Sequence, residues 1–217
     1  MEEKCLVTEN IQYSYNRDHV FRFPDILCGK GEHLLITGQS GCGKTTLLHL
    51  IAGLLRPDSG AVYVKGKDIT RLKNKSLDRH RGREIGVVFQ SPHFIKSLTA
   101  EENLLMPACL NRLTIDKARL DDLFGTLNIA HCRRRRTNEM SQGELQRLSI
   151  ARAVINRPSL ILADEPTSSL DDANCREAVS LLRSQSEKLQ AGLLIVTHDR
   201  RLIPGFSRII HLESQKI

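Results

Sequence analysis

The sequence contains no tryptophan, and aromatic residues make up only 4% of its 217 positions. Neither an RNA-binding signature nor zinc-finger spacing accompanies the net charge of +7. The positive charge therefore suits an anionic ligand or an acidic membrane surface, and no specific nucleic-acid partner is expected. No apolar run approaches the roughly 18–20 residues that span a bilayer, and Met1-Glu2-Glu3-Lys4 lacks the basic start and apolar segment of a signal peptide. Any membrane role is thus expected to pass through a separate polypeptide. Cysteines stand at 5, 28, 42, 109, 132 and 175 with no C-x-x-C pair. That spacing argues against a zinc site or a disulfide framework and fits a reducing cytoplasm. Repeats and low-complexity tracts are missing too, so the length suits one core with a smaller lobe attached.

Against these absences one stretch carries chemistry. Gly38-Gln39-Ser40-Gly41-Cys42-Gly43-Lys44-Thr45-Thr46 reads G-x-x-x-x-G-K-[ST], the P-loop spacing. The short apolar run from His33 to Thr37 precedes it as a buried strand, and Thr46 to Ala52 follows as a helix. Glycines there let backbone N–H groups wrap the β- and γ-phosphates, and the helix N-terminus adds positive field. Lys44 supplies a point charge and the Thr45 hydroxyl a ligand for Mg²⁺. The stretch implies a nucleoside triphosphate.

Along the chain, Val7 to Tyr15 and Phe21 to Phe23 alternate and predict two strands ahead of the P-loop. Tyr15 is the candidate to stack on the base, with Tyr13 second. Turns at 57–60 and 65–68 flank a strand over Ala61–Val64, and residues 71–83 read as charged and solvated. Ile85 to Phe89 is a short buried strand ending in Gln90, a polar amide where α/β sheets place ligands. From Ser91 to about Pro158 the pattern turns helical. Thr99-Ala100-Glu101-Glu102 and Ser141-Gln142-Gly143-Glu144 both match the capping box and predict helix starts. Leu160 to Ala163 and Leu193 to Val196 are apolar strands ending in Asp164-Glu165 and Thr197-His198-Asp199, and Ile209 to Leu212 reads as an edge strand. The expected fold is an α/β P-loop NTPase core with a mostly parallel sheet, an N-terminal antiparallel β subdomain and an inserted helical lobe. Residues 1–90 and 159–217 form the core and 91–158 the lobe of one domain, with no room for a regulatory one.

These pieces in this order resemble the ATP-binding subunits of ABC transporters over essentially the whole chain. The phrases carrying the likeness are Gln90 after its strand, Met140-Ser141-Gln142-Gly143-Glu144-Leu145-Gln146-Arg147, Leu162-Ala163-Asp164-Glu165-Pro166-Thr167-Ser168-Ser169-Leu170-Asp171, and Thr197-His198-Asp199. The wording is most similar to subunits of lipoprotein-releasing and macrolide-export systems. The resemblance implies an ATPase with ATP and Mg²⁺. Residues 38–46 would hold phosphates; Thr45, Gln90 and Asp164 would hold the metal. Glu165 would polarise the attacking water, helped by His198, Gln90 and Lys44. Ser141 and Gly143 would bind the γ-phosphate held by a second copy, and Asp171 would line the subunit boundary.

The resemblance further implies an ATP-dependent dimer seated on an integral membrane permease at the inner face of the cell membrane, docked through Ser91 to Pro107. Two alternatives are a mechanical envelope machine without cargo and a soluble ATPase working on DNA or the ribosome. The signature departs from the family pattern in placing Gln142 where a first glycine is usual. Arg133 to Arg136 reads as a solvated face, and Cys42, inside the P-loop, as a tolerated small residue, with oxidation of its thiol blocking ATP as the alternative.

Overall fold

The computed structural model describes residues 4–15, 20–168 and 170–213. Met1-Glu2-Glu3 and Ser169 of the carboxylate phrase lie outside them. Among the described residues, ten strands form two sheets. The first is antiparallel: β1 (Lys4–Ser14), β2 (Val20–Arg22), β3 (Leu27–Gly29), β5 (Ser59–Val64) and β6 (Lys67–Asp68). Its long member β1 pairs β2, β3 and β5, with Leu6 opposite Val64 and Tyr13 opposite Phe21. The second is wholly parallel: β4 (His33–Gly38), β7 (Ile85–Val88), β8 (Leu160–Asp164), β9 (Gly192–Thr197) and β10 (Ile209–Leu212), in the order β10-β4-β9-β8-β7.

The parallel strands read as continuous apolar runs because both faces are covered. Their side chains alternate with period two. Leu35, Ile161, Ala163, Leu193 and Ile195 enter one apolar cluster, shared with the helical segments. Leu34, Ile36, Leu160, Leu162, Leu194 and Val196 enter the other, shared with the antiparallel sheet. Helix α1 (Lys44–Ile51) belongs to the second cluster, burying Leu47, Leu48, Leu50 and Ile51. Each of these side chains contributes about 1.5–3 kcal/mol on burial, so α1 and the P-loop before it are held rigidly to the sheet.

Between β7 and β8 lie α3 (Ala100–Leu110), α4 (Lys117–Thr126) and α5 (Gln142–Val154). Capping boxes open two of them: the Glu102 N–H donates to Thr99 Oγ1, and the Glu144 N–H to Ser141 Oγ, both at 3.3 Å. Leu104, Leu123, Phe124, Leu148 and Val154 bring these helices onto the sheet face in the first cluster.

The structure adds detail to the sequence reading at three places. Residues 71–83 are mostly exposed, as expected, but are ordered as α2 (Asn74–Glu84), with Leu77 buried. An 18-residue helix, α6 (Asp172–Leu189), packs beside β9. The arginine run is only partly a solvated face. Arg133 is ion-paired to Glu101 and Asp121 and lies 5.4 Å from the Phe124 ring centre, while Arg135 reaches Glu139 O and Glu144. Arg134 and Arg136 are exposed. Among the described residues no helix is long and apolar enough to cross a membrane.

Candidate functional site

β4 ends at Gly38 and the chain loops at once into α1. Gly43, the residue before the helix, has φ of 95°, and a Cβ there would stand 2.8 Å from Phe21 Cδ1. Only glycine lets the loop reverse so close to that ring. At Gly41, φ is 82° but an added Cβ would meet nothing within 4 Å, so the loop faces open space where a phosphate would sit. Gln39 and Ser40 are exposed beside it. Lys44, 7% exposed, donates from Nζ to Gly38 O and Gln39 O at 2.9 Å each, which holds its ammonium across the loop. The Cys42 thiol is buried against Gly38. Burial of the thiol there favours the tolerated small residue over an oxidant-sensitive group at Cys42.

β8 delivers two carboxylates to the same rim. Asp164, 4% exposed, accepts from Thr45 Oγ1 at 3.1 Å. Burial pushes its carboxyl above the ordinary range, opposed by that hydrogen bond. Glu165 takes the left-handed backbone, with φ of 45°, which costs a non-glycine residue of order 1–3 kcal/mol. Its neighbours fix it there: the Glu165 N–H donates to Val196 O at 2.9 Å, and the Thr197 hydroxyl donates to Oε2 at 2.7 Å. His198 donates to Oε1 from its backbone N–H at 3.1 Å and from Nδ1 at 2.8 Å. A carboxylate only accepts, so Nδ1 carries the proton and Nε2 remains available to a ligand. The His198 side chain is 61% exposed.

Tyr15 is exposed, its hydroxyl 3.1 Å from Thr46 Oγ1 and its ring edge-on to Tyr13. Tyr13 packs against the apolar cluster instead, which leaves Tyr15 the better placed of the two for a base. Gln90 is exposed just past β7, whose Val88 pairs with Ala163, so it follows the same end of the sheet at which β8 delivers Asp164 and Glu165.

Ser141 and Gly143 are not part of this cluster. Ser141 caps α5, and Gly143 lies near Asn174 on α6. Asp171 caps α6, accepting from the Asn174 N–H at 2.8 Å. The structure also shows contacts that the sequence reading left without a role. Thr197 anchors Glu165, and Gln146 Nε2 donates to Pro166 O at 3.0 Å, tying α5 to the turn after Glu165. The signal for both was a polar residue inside a buried segment.

A family model described as "ABC transporter" matches residues 25–168. The chain belongs to the ABC transporter family. It is 37% identical over 205 residues to the lipoprotein-releasing system ATP-binding protein LolD of Porphyromonas gingivalis, covering 94% of each chain. Its identity to the bacitracin export ATP-binding protein BceA of Halalkalibacterium halodurans is 35% over 218 residues, 98% of this chain and 86% of that one. Among solved structures, a dimeric post-hydrolysis ATP-binding cassette bound to ADP and Pi superposes with a TM-score of 0.86 at 30% identity, covering 96% of this chain and 94% of the other. The protein is an ABC ATPase: it binds ATP and hydrolyses it as a transporter's motor subunit.

Proposed function

We propose that two copies of this chain close around two MgATP to drive a membrane permease carried on another polypeptide, from the cytoplasmic face of the cell membrane. The observation that carries the reading is the division of labour between consecutive carboxylates: Asp164 joins the P-loop through Thr45, and Glu165 joins His198. The Thr45 hydroxyl and the Asp164 carboxylate are hard oxygen donors at one rim, a set that fits Mg²⁺, and Gln90, at the adjacent strand end, is the third group assigned to the cation. Bound there, the cation would neutralise charge on the phosphate oxygens.

Residues 38–46 hold the phosphates, with Lys44 giving up its two loop carbonyls for phosphate oxygens. Glu165 takes a proton from the attacking water while Thr197 keeps the carboxylate in place. His198 faces the γ-phosphate through Nε2, and Tyr15 stacks on the adenine. Ser141 and Gly143, on the helical lobe, serve the nucleotide of the second copy, where the capped start of α5 receives the γ-phosphate.

The permease docks in a groove of about 980 Å³ between α2, β7 and α3, lined by Leu54, Arg79, Phe89, Met106, Leu110 and Arg112. Leu110 is 76% exposed at its mouth, and the basic rim suits an acidic or amphipathic segment. The names of the relatives support a cargo that is released or exported at the cell envelope, such as a lipoprotein or a peptide antibiotic. The test is to express tagged Glu165→Gln in its native cell, solubilise membranes with MgATP, and identify what co-purifies. A stoichiometric integral membrane protein supports the reading; ribosomes or chromosomal proteins alone overturn the membrane assignment.

A further inference from the structure

Three side chains with metal-binding atoms meet beside the start of α5, away from the P-loop. The short 3-10 turn Ala130–Cys132 presents His131 and Cys132, and Glu144 stands in the first turn of α5. His131 Nε2 lies 2.7 Å and Cys132 Sγ 3.0 Å from Glu144 Oε1, and all three ligand atoms fall within 4.8 Å of one another. Around a tetrahedral ion with metal–nitrogen and metal–sulfur bonds of about 2.0–2.3 Å, ligand atoms stand roughly 3.3–3.6 Å apart. His131 Nε2 and Cys132 Sγ each therefore move out from Glu144 Oε1 by less than about 1 Å to reach that spacing, and His131 is exposed enough to move.

We infer that His131, Cys132 and Glu144 bind one thiophilic divalent cation of the Zn²⁺ class, with the fourth position open to water. One thiolate, one imidazole and one carboxylate suit Zn²⁺, whereas Mg²⁺ prefers an all-oxygen octahedron. On loading, the Cys132 S–H bond breaks, its proton passes to the buffer, and the sulfur–metal bond forms. His131 coordinates through the Nε2 lone pair, and Glu144 exchanges two hydrogen bonds for the ion; no electron is transferred. The other Glu144 oxygen, Oε2, accepts from the Ser141 N–H at 2.7 Å, so one carboxylate links the ion to the capped start of α5.

The structure also names the competitor. Arg135 Nη1 lies 3.5 Å from Glu144 Oε1 and 3.8 Å from Cys132 Sγ. Half-exposed, it occupies the cation's surroundings and turns outward when the ion arrives. The absence of C-x-x-C pairs hid this site, because its third ligand comes 12 residues after Cys132.

The experiment is a Co²⁺ titration of the full chain without nucleotide, read by thiolate-to-cobalt charge transfer, with Zn²⁺ equilibrium dialysis and thermal unfolding alongside. One equivalent is expected in the wild type and in Cys109→Ser, which removes the exposed thiol. Cys132→Ser should lose the charge-transfer band, and His131→Ala should weaken binding about tenfold or more. Arg135→Ala should tighten it several-fold. Zn²⁺ at about a hundred times its Kd should raise Tm by roughly 5–10 °C. Should Cys132→Ser fail to fold, His131→Ala on the surface decides the matter. Absence of the band in the wild type, or unchanged binding in His131→Ala, overturns the site. Because no ATP is present, either result is independent of the proposed transport role.

Discussion

Replacing Glu165 by glutamine keeps the volume and changes one acceptor oxygen into an NH₂ group. In the structure the carboxylate receives the Thr197 hydroxyl on one oxygen and two His198 donors on the other. The amide can retain the Thr197 bond through its oxygen, but its NH₂ then confronts the His198 backbone N–H. That conflict costs about 1–3 kcal/mol of stability, a tolerable loss for a domain of this size. The chemical loss is larger. A general base contributes about 10²–10⁴-fold, or roughly 2.7–5.4 kcal/mol of barrier, and an amide cannot take the water proton. Single-turnover phosphate release should fall by about a hundredfold or more while nucleotide binding persists. Light scattering with saturating MgATP should show a trapped dimer. Hydrolysis within threefold of the wild type, or a variant that stays monomeric, would refute the assignment of Glu165 as base.

Lys44→Ala should abolish nucleotide binding or turnover, since it removes the ammonium held across the loop by the Gly38 and Gln39 carbonyls; fluorescent-nucleotide titration checks it. Gln142→Gly should leave ATPase activity within a few-fold, because the cap contacts are made by Ser141 and Glu144; steady-state phosphate release would expose a specific role by complete loss. Arg133→Ala removes pairs to Glu101 and Asp121 and the contact with Phe124. It should cost about 1–3 kcal/mol, or roughly 2–12 °C in Tm, while Arg134→Ala on the exposed neighbour should change little. The Arg201 hydrogen bonds hold the Asp199 carboxyl down at about 2 from an ordinary 3.8. A depressed folded-state value stabilises above the unfolded value and is lost as pH falls through the folded one. Thermal unfolding from about pH 4 to pH 2 should therefore steepen in wild type relative to Asp199→Asn; parallel curves would contradict the pairing.

The strands of the parallel sheet were legible because burial on both faces makes them uniformly apolar, and the P-loop because its spacing is dictated by phosphate geometry. α6 was not, although it is the longest helix described. Its buried positions, Cys175, Ala178, Leu182, Gln185 and Ser186, are mostly small or polar, so its helical signal rests on Val179, Leu182 and Leu189, which recur at helical spacing against the first cluster. α2 shows the other limit, with Leu77 its single buried side chain. β3 is three residues long and rests on pairing with β1 rather than on a pattern of its own. At the site, sequence order named Glu165 and His198 separately. Their contact depends on the β8–β9 register, Asp164 opposite Val196, which only the folded sheet reveals.

That register explains how neighbouring carboxylates acquire different partners. Along β8, Leu160 and Leu162 face the α1 side and Ile161 and Ala163 the helical-lobe side. Period two therefore turns Asp164 toward α1, where it meets Thr45, and Glu165 toward the side on which Leu193 and Ile195 lead up to Thr197. A strand that simply continued would push the Glu165 carboxylate down into apolar surroundings, where a charge is costly. The left-handed turn at Glu165 ends the strand at that residue and keeps the carboxylate at the rim, against Thr197 and His198. One extra residue between the two would rotate both carboxylates to the same face and leave His198 without its partner. The backbone strain at Glu165 thus separates a carboxylate joined to the P-loop through Thr45 from one held by Thr197 and His198, the carboxylate proposed here to act on the attacking water.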